Sequence, residues 1–190
     1  MLNYMNYYPI KYIKHTMSKI DYDLTKIKAF VFDVDGVLSP STVPLGADGL
    51  PCRMVNVKDG YAMQLAVKHG YKIAIITGGC SESIELRFRA LGIFDVYMGA
   101  SMKLPILTKW MEENGLDASE VAFAGDDIPD HDCMKAVGLS VAPADADIDI
   151  KCVARYISTV NGGYGVGREI IEEVMKAQGE WMSTEKAFGW

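Results

Sequence analysis

From position 27 onward, short apolar runs alternate with amphipathic stretches. The runs at 29–32, 72–76, 95–98, 121–124 and 139–142 read as strands. Between and after them, 60–69, 81–91, 103–114, 131–137 and 166–178 read as helices, the last three with apolar residues at three-to-four spacing. Strands alternating with helices predict an α/β fold: a single doubly wound, Rossmann-like parallel sheet flanked by helices. One stretch breaks the alternation. Residues 41–45 and 50–57 flank Gly46-Ala47-Asp48-Gly49, and Asp-Gly supplies the positive-φ positions that a tight turn requires. A protruding β-hairpin is therefore expected over about 41–57, with core elements filling the rest of the chain and no lid domain.

The domain is expected over 25–178. Ahead of it, 1–24 is expected to be a poorly ordered extension: Met1 to Thr16 is rich in Tyr, Asn and Lys and lacks the apolar core of a secretory signal. Met17 opens Met-Ser-Lys-Ile-Asp-Tyr and marks an alternative start. The tail 179–190 carries two Trp and a Phe without periodicity, so it either frays or docks.

At 190 residues, about half of them hydrophobic, the chain can bury the core of one domain. A formal charge of −6 with no Lys/Arg block leaves no electrostatic footprint for nucleic acid and no polybasic patch for a membrane surface. No apolar run approaches the roughly 20 residues of a membrane helix. Cys52, Cys80, Cys133 and Cys152 are widely spaced without zinc-site partners, and read as reduced thiols of a cytoplasmic protein. Together these point to a small soluble substrate.

Asp33 and Asp35 follow an apolar strand two residues apart, so both carboxylates can face one side at its carboxyl end, where open α/β sheets bind ligands. Two close carboxylates without a neighbouring Lys or Arg call for a cation, and oxygen ligands suit Mg²⁺. A carboxylate can also attack phosphorus. Taken alone, the pair reads more readily as two solvated aspartates in a turn, since Asp-x-Asp is common. Three further groups close successive strands. Thr77 precedes Gly78 and Gly79, whose N–H groups can approach a phosphate. Lys103 follows the third strand, where an ammonium could neutralise a phosphoryl group and Asp33. Gly125-Asp126-Asp127 closes the fourth, with Asp130 either supporting a metal site or capping a helix.

In this order, Asp33-x-Asp35-Gly36, Thr77-Gly78, Lys103 and Gly125-Asp126-Asp127 resemble the haloacid dehalogenase-like superfamily, over roughly 28–177. The resemblance implies Asp33 as nucleophile and Mg²⁺ ligand, and Asp35 as acid/base whose backbone carbonyl binds the metal. It implies Thr77, Gly78 and Lys103 as the phosphoryl cradle, and Asp126 as a third ligand supported by Asp127 and Asp130. Within the capless subclass, Asp33 to Leu38, the hairpin, Asn56-Val57-Lys58-Asp59-Gly60-Tyr61 and Gly162-Gly163-Tyr164-Gly165-Val166-Gly167-Arg168-Glu169 resemble the 3-deoxy-D-manno-octulosonate 8-phosphate phosphatases. That implies hairpins associating into a homotetramer and a C-terminal segment reaching a neighbour's site. Lys58, Gly79 and Ser39-Pro40-Ser41 depart from the family pattern, which has arginine at the first two positions and Thr-Asp-Gly at the third. Lys58 and Arg168 are candidates for binding the sugar acid. A nine-carbon 2-keto sugar acid phosphate, broad sugar phosphates, and a non-catalytic assembly module remain alternative readings.

Overall fold

A computed structural model describes residues 18–189. Its strands are β1 (Ala29–Phe32), β2 (Lys72–Ile76), β3 (Asp95–Tyr97), β4 (Val121–Ala124), β5 (Leu139–Ala142) and β6 (Tyr156–Ile157). They form one sheet in the order β3-β2-β1-β4-β5-β6, every pairing parallel. The helices are α1 (Val57–Lys68), α2 (Glu82–Ala90), α3 (Lys103–Asn114), α4 (His131–Ala136), α5 (Ile148–Val153) and α6 (Val166–Ala177).

The apolar runs lack polar alternation because both faces of the sheet are covered. Successive side chains still point to opposite faces. Phe30 and Phe32 of β1 pack with α1, α2 and α6, whereas Ala29 and Val31 pack with α3, α4 and α5. β4 reverses the sizes: Ala122 and Ala124 lie on the first face, Val121 and Phe123 on the second. On the first face, large residues of β1 thus meet small ones of β4, Phe30 opposite Ala122 and Phe32 opposite Ala124, which favours close packing of the layer.

Three features differ from expectation by more than a residue. α1 starts at Val57 rather than 60, because the Asn56 side chain accepts the N–H groups of Lys58 and Asp59 and caps the helix three residues earlier. The segment expected as a hairpin is a turn with a single antiparallel bridge, Leu45 to Pro51. It is closed by Gly46 N–H to the Leu50 carbonyl at 2.7 Å and Cys52 N–H to the Pro44 carbonyl at 2.8 Å. Pro44 and Pro51 have no N–H to extend that ladder. Finally, Ile20 and Leu24 are buried in the core, so the packed body begins ahead of residue 25. The rest of the expected extension, up to Met17, lies outside the described residues, as does Trp190. Neither α5 nor β6 was expected: Ile148-Asp149-Ile150-Lys151-Cys152 alternates apolar and polar residues as a strand does, and the two residues of β6 are too few to display a period.

The tail docks on its own chain. Trp181 stands edge-on to Tyr61 of α1 with ring centroids 6.2 Å apart, and the Arg168 guanidinium of α6 lies 4.4 Å from the Trp181 ring centre. The Tyr61 hydroxyl donates to the Ala187 carbonyl. No helix among the described residues is long and apolar enough to cross a membrane.

Candidate active site

The chain leaves β1 towards β2 and β3 on one side and then crosses to β4, β5 and β6 on the other. The crevice at such a reversal, beyond the carboxyl ends of β1 and β4, is where parallel sheets hold ligands. Asp33 and Asp126 stand there, each one or two residues past its strand. The Asp33 N–H donates to the Ala124 carbonyl at 3.0 Å and the Gly125 N–H to the Val141 carbonyl at 3.1 Å, so ladder bonds hold both turns.

Lys103, the first residue of α3, brings its ammonium to Asp33 Oδ2 at 3.0 Å and Asp130 Oδ1 at 2.7 Å. All three side chains are buried. Burial alone would discharge the lysine, but the two carboxylates and their hydrogen bonds outweigh it and hold its pKa above the ordinary value. Asp130 does not cap α4 with its side chain. Its Oδ2 accepts the Asp126 N–H at 3.1 Å while Oδ1 accepts Lys103, so it ties the β4 turn to the lysine.

Asp33 Oδ1 and Asp126 Oδ1 are buried without a hydrogen-bond partner among the described residues. Asp33, Asp126 and Asp130 each present an oxygen within 4.8 Å of the others. Burial, then the charges of Asp33, Asp130 and Asp127, push Asp126 up to about 8. Burial and the Asp130 charge raise Asp33 despite Lys103. Two bare carboxylate oxygens that resist ionisation side by side define a cation site, and hard oxygen donors fit Mg²⁺. Because both oxygens of Asp130 are engaged, the bare ligands are Asp33 and Asp126. Gly36 makes their approach possible: its φ is +86°, and a Cβ there would come within 1.9 Å of Asp126 Oδ2.

Thr77 is buried beyond β2, its Oγ accepting the Gly79 N–H at 3.2 Å, and Gly78 beside it is exposed. Asp127 is exposed and acts on Asp126 through its charge. Asp35 is gripped by a residue that the sequence reading did not single out. Arg53 donates from Nε to Oδ1 and from Nη2 to Oδ2, each at 2.7 Å, a planar two-point pair. A lone arginine in a loop of mixed composition carries no periodic or motif signal. Asp59, which the Asn56–Tyr61 motif contained without a role, is buried in α1, and its Oδ1 accepts the Arg168 N–H at the start of α6 at 2.6 Å. Burial raises Asp59 to about 6, only partly offset by Arg168.

The two candidates for the sugar acid are brought together, but elsewhere. Lys58 and Arg168 line a cavity of about 330 Å³ whose walls include none of Asp33, Asp35, Thr77, Lys103 or Asp126. Arg168 is also engaged with Glu172 at 2.5 Å, and its guanidinium lies 5.5 Å from the Tyr61 ring centre and 4.4 Å from that of Trp181.

Residues 73–170 match the model of a haloacid dehalogenase-like hydrolase family. A 3-deoxy-D-manno-octulosonate 8-phosphate phosphatase of Salmonella typhi is 37% identical over 166 residues, covering 87% of this chain and 86% of its own length. The Escherichia coli K12 protein of the same name is 38% identical over 81% of this chain and 82% of its own. Among solved structures, that of the Moraxella catarrhalis phosphatase, in complex with magnesium ion, phosphate ion and a KDO molecule, superposes with a TM-score of 0.82 at 31% identity. The match covers 88% of this chain and 96% of the other.

Proposed function

Because this chain belongs to the haloacid dehalogenase-like hydrolase family, we propose that it is a Mg²⁺-dependent phosphatase. Its substrate in this reading is 3-deoxy-D-manno-octulosonate 8-phosphate, cleaved to the free sugar acid (KDO) and phosphate in lipopolysaccharide precursor synthesis. One observation carries the chemistry: Asp33 has one oxygen held by Lys103 and the other bare beside the bare oxygen of Asp126. The relatives of the same name and the KDO-bearing neighbour support the substrate.

Asp33 attacks phosphorus and the bond to the sugar oxygen breaks, leaving an aspartyl-phosphate. Asp35 gives that oxygen its proton, then takes one from the water that hydrolyses the intermediate. Lys103 balances charge on the phosphoryl oxygens and keeps Asp33 oriented, while the Thr77 hydroxyl and the Gly78 N–H complete the cradle. Asp130 holds Lys103 and the Asp126 turn in register. Asp33, Asp126 and the Asp35 carbonyl would hold the Mg²⁺, which when bound supplies positive charge for the transferring group.

Leu45, Leu50, Met54, Val55 and Val57 are exposed on the projecting segment. An apolar patch of this kind marks a protein interface and supports association between copies, which in this reading form a homotetramer in the cytoplasm. The deciding experiment is phosphate release with Mg²⁺ across eight- and nine-carbon 2-keto sugar acid phosphates and simple sugar phosphates. A preference for the eight-carbon acid supports the assignment. Equal rates on all would sink the specific substrate, and no turnover of any phosphomonoester would sink the enzyme.

A further inference from the structure

We propose that Arg53 reads the carboxylate of the substrate, an inference that rests on the phosphatase reading above and adds to it a specificity residue from the loop 41–56. The guanidinium sits at the rim of the phosphoryl site. On one side it grips Asp35 through two hydrogen bonds of 2.7 Å. On the other it packs against Gly79, directly after Thr77-Gly78: a Cβ at position 79 would come within 2.3 Å of Nη2 and 3.0 Å of Cζ. Arg53 therefore fills the space that a side chain at 79 would take.

Its loop is anchored to the nucleophile turn. The Met54 N–H donates to Ser39 Oγ at 3.1 Å, Ser39 is wholly buried, and its carbonyl accepts the Gly36 N–H at 2.8 Å. The Arg53 side chain is only 9% exposed, whereas that of Asp35 is 40% exposed, so the pair opens outward on the carboxylate side. A planar fork already matched to one carboxylate presents the same geometry to another. When a sugar acid arrives, its carboxylate takes the fork, and Asp35 is released to reach the leaving oxygen. Lys103 already serves the phosphoryl side, and Arg168 is spent on Glu172 and Trp181.

The test uses the full-length, Mg²⁺-loaded protein and two probes: 3-deoxy-D-manno-octulosonate 8-phosphate, which carries a carboxylate, and p-nitrophenyl phosphate, which does not. Arg53→Ala should lower kcat/KM for the first roughly tenfold to a hundredfold more than for the second, the size of a lost charge-assisted pair, and mainly through KM. Arg53→Lys should recover only part, because an ammonium lacks the fork. Gly79→Ala, whose new methyl displaces the mobile end of Arg53 rather than backbone, should shift the ratio in the same direction with Arg53 intact. A ratio between the probes that stays unchanged in Arg53→Ala or in Gly79→Ala overturns the proposal. Wild-type protein that turns over neither probe would instead overturn the phosphatase reading.

Discussion

Asp33 meets three different demands with one carboxylate: an oxygen for Lys103, an oxygen for a cation, and a lone pair for phosphorus. Asp33→Asn keeps the shape and an oxygen for Lys103 but loses the nucleophile and the charged metal ligand, so turnover should fall by at least about a thousandfold, the scale of lost covalent and electrostatic catalysis. Phosphate release checks the rate, and circular dichroism with size-exclusion chromatography checks that fold and assembly persist. Retained activity would refute the nucleophile. Gly36 is a subtler lever. A methyl there meets both a left-handed backbone and the Asp126 carboxylate, so Gly36→Ala should displace a metal ligand. The Mg²⁺ concentration for half-maximal activity should rise about tenfold, and an unchanged requirement would refute this role for the glycine.

Between the elements, α1, α6 and the tail form one unit, joined by Asp59 at the start of α6 and by the Tyr61, Arg168 and Trp181 stack. The sequence resemblance implied a tail that reaches a neighbour; within this chain Trp181 packs on Tyr61 and Arg168, while Phe188 is exposed. Removing residues from Gly179 onward deletes a cation–π contact and an edge-on aromatic pair, together worth about 2 kcal/mol. The melting midpoint should drop by roughly 4–8 °C for a domain of this size. Differential scanning calorimetry reads this directly, and a midpoint that does not move would show that the docking contributes nothing to stability.

For the molecule as a whole, the acidic crevice couples folding to protons and to metal. Asp126 has a folded pKa of about 8, far above that of an unfolded aspartate. Its raised value means the fold binds the proton more tightly than the unfolded chain does. That contribution to stability is fully present below about pH 4 and is lost as pH rises through about 8. Metal-free protein should therefore melt lower at pH 8 than at pH 5.5. Mg²⁺ occupies the same oxygens, so at a hundredfold excess over its Kd it should restore about 2.7 kcal/mol, more fully at the higher pH. Melting curves with EDTA and with Mg²⁺ at the two values test this. A Mg²⁺ gain that did not grow with pH would mean that Asp126 is not where the ion binds.

The alternation of apolar runs and amphipathic stretches suffices to place β1, β2, β4 and β5 residue for residue, because a buried parallel strand is a local, continuous signal. The order of Asp33, Thr77, Lys103 and Asp126 along the chain is equally visible, since each follows a strand and all strands of such a sheet end on one side. Boundaries set by a side-chain cap, as at Asn56, a two-residue strand such as β6, and a helix whose residues alternate like a strand, as in α5, leave no such trace. Arg53 on Asp35, Asp130 bridging Lys103 to the Asp126 turn, and Arg168 drawn away into an aromatic stack depend on residues 18, 27 and 13 positions apart or on rings from two other segments. Such pairings follow from where the chain folds back, and no local pattern of hydrophobic and polar positions encodes them. The chemistry of the crevice, with the pairing of Lys103 and Asp33, was thus legible as residue types in order, while the partners of Asp35, Asp130 and Arg168 came from packing.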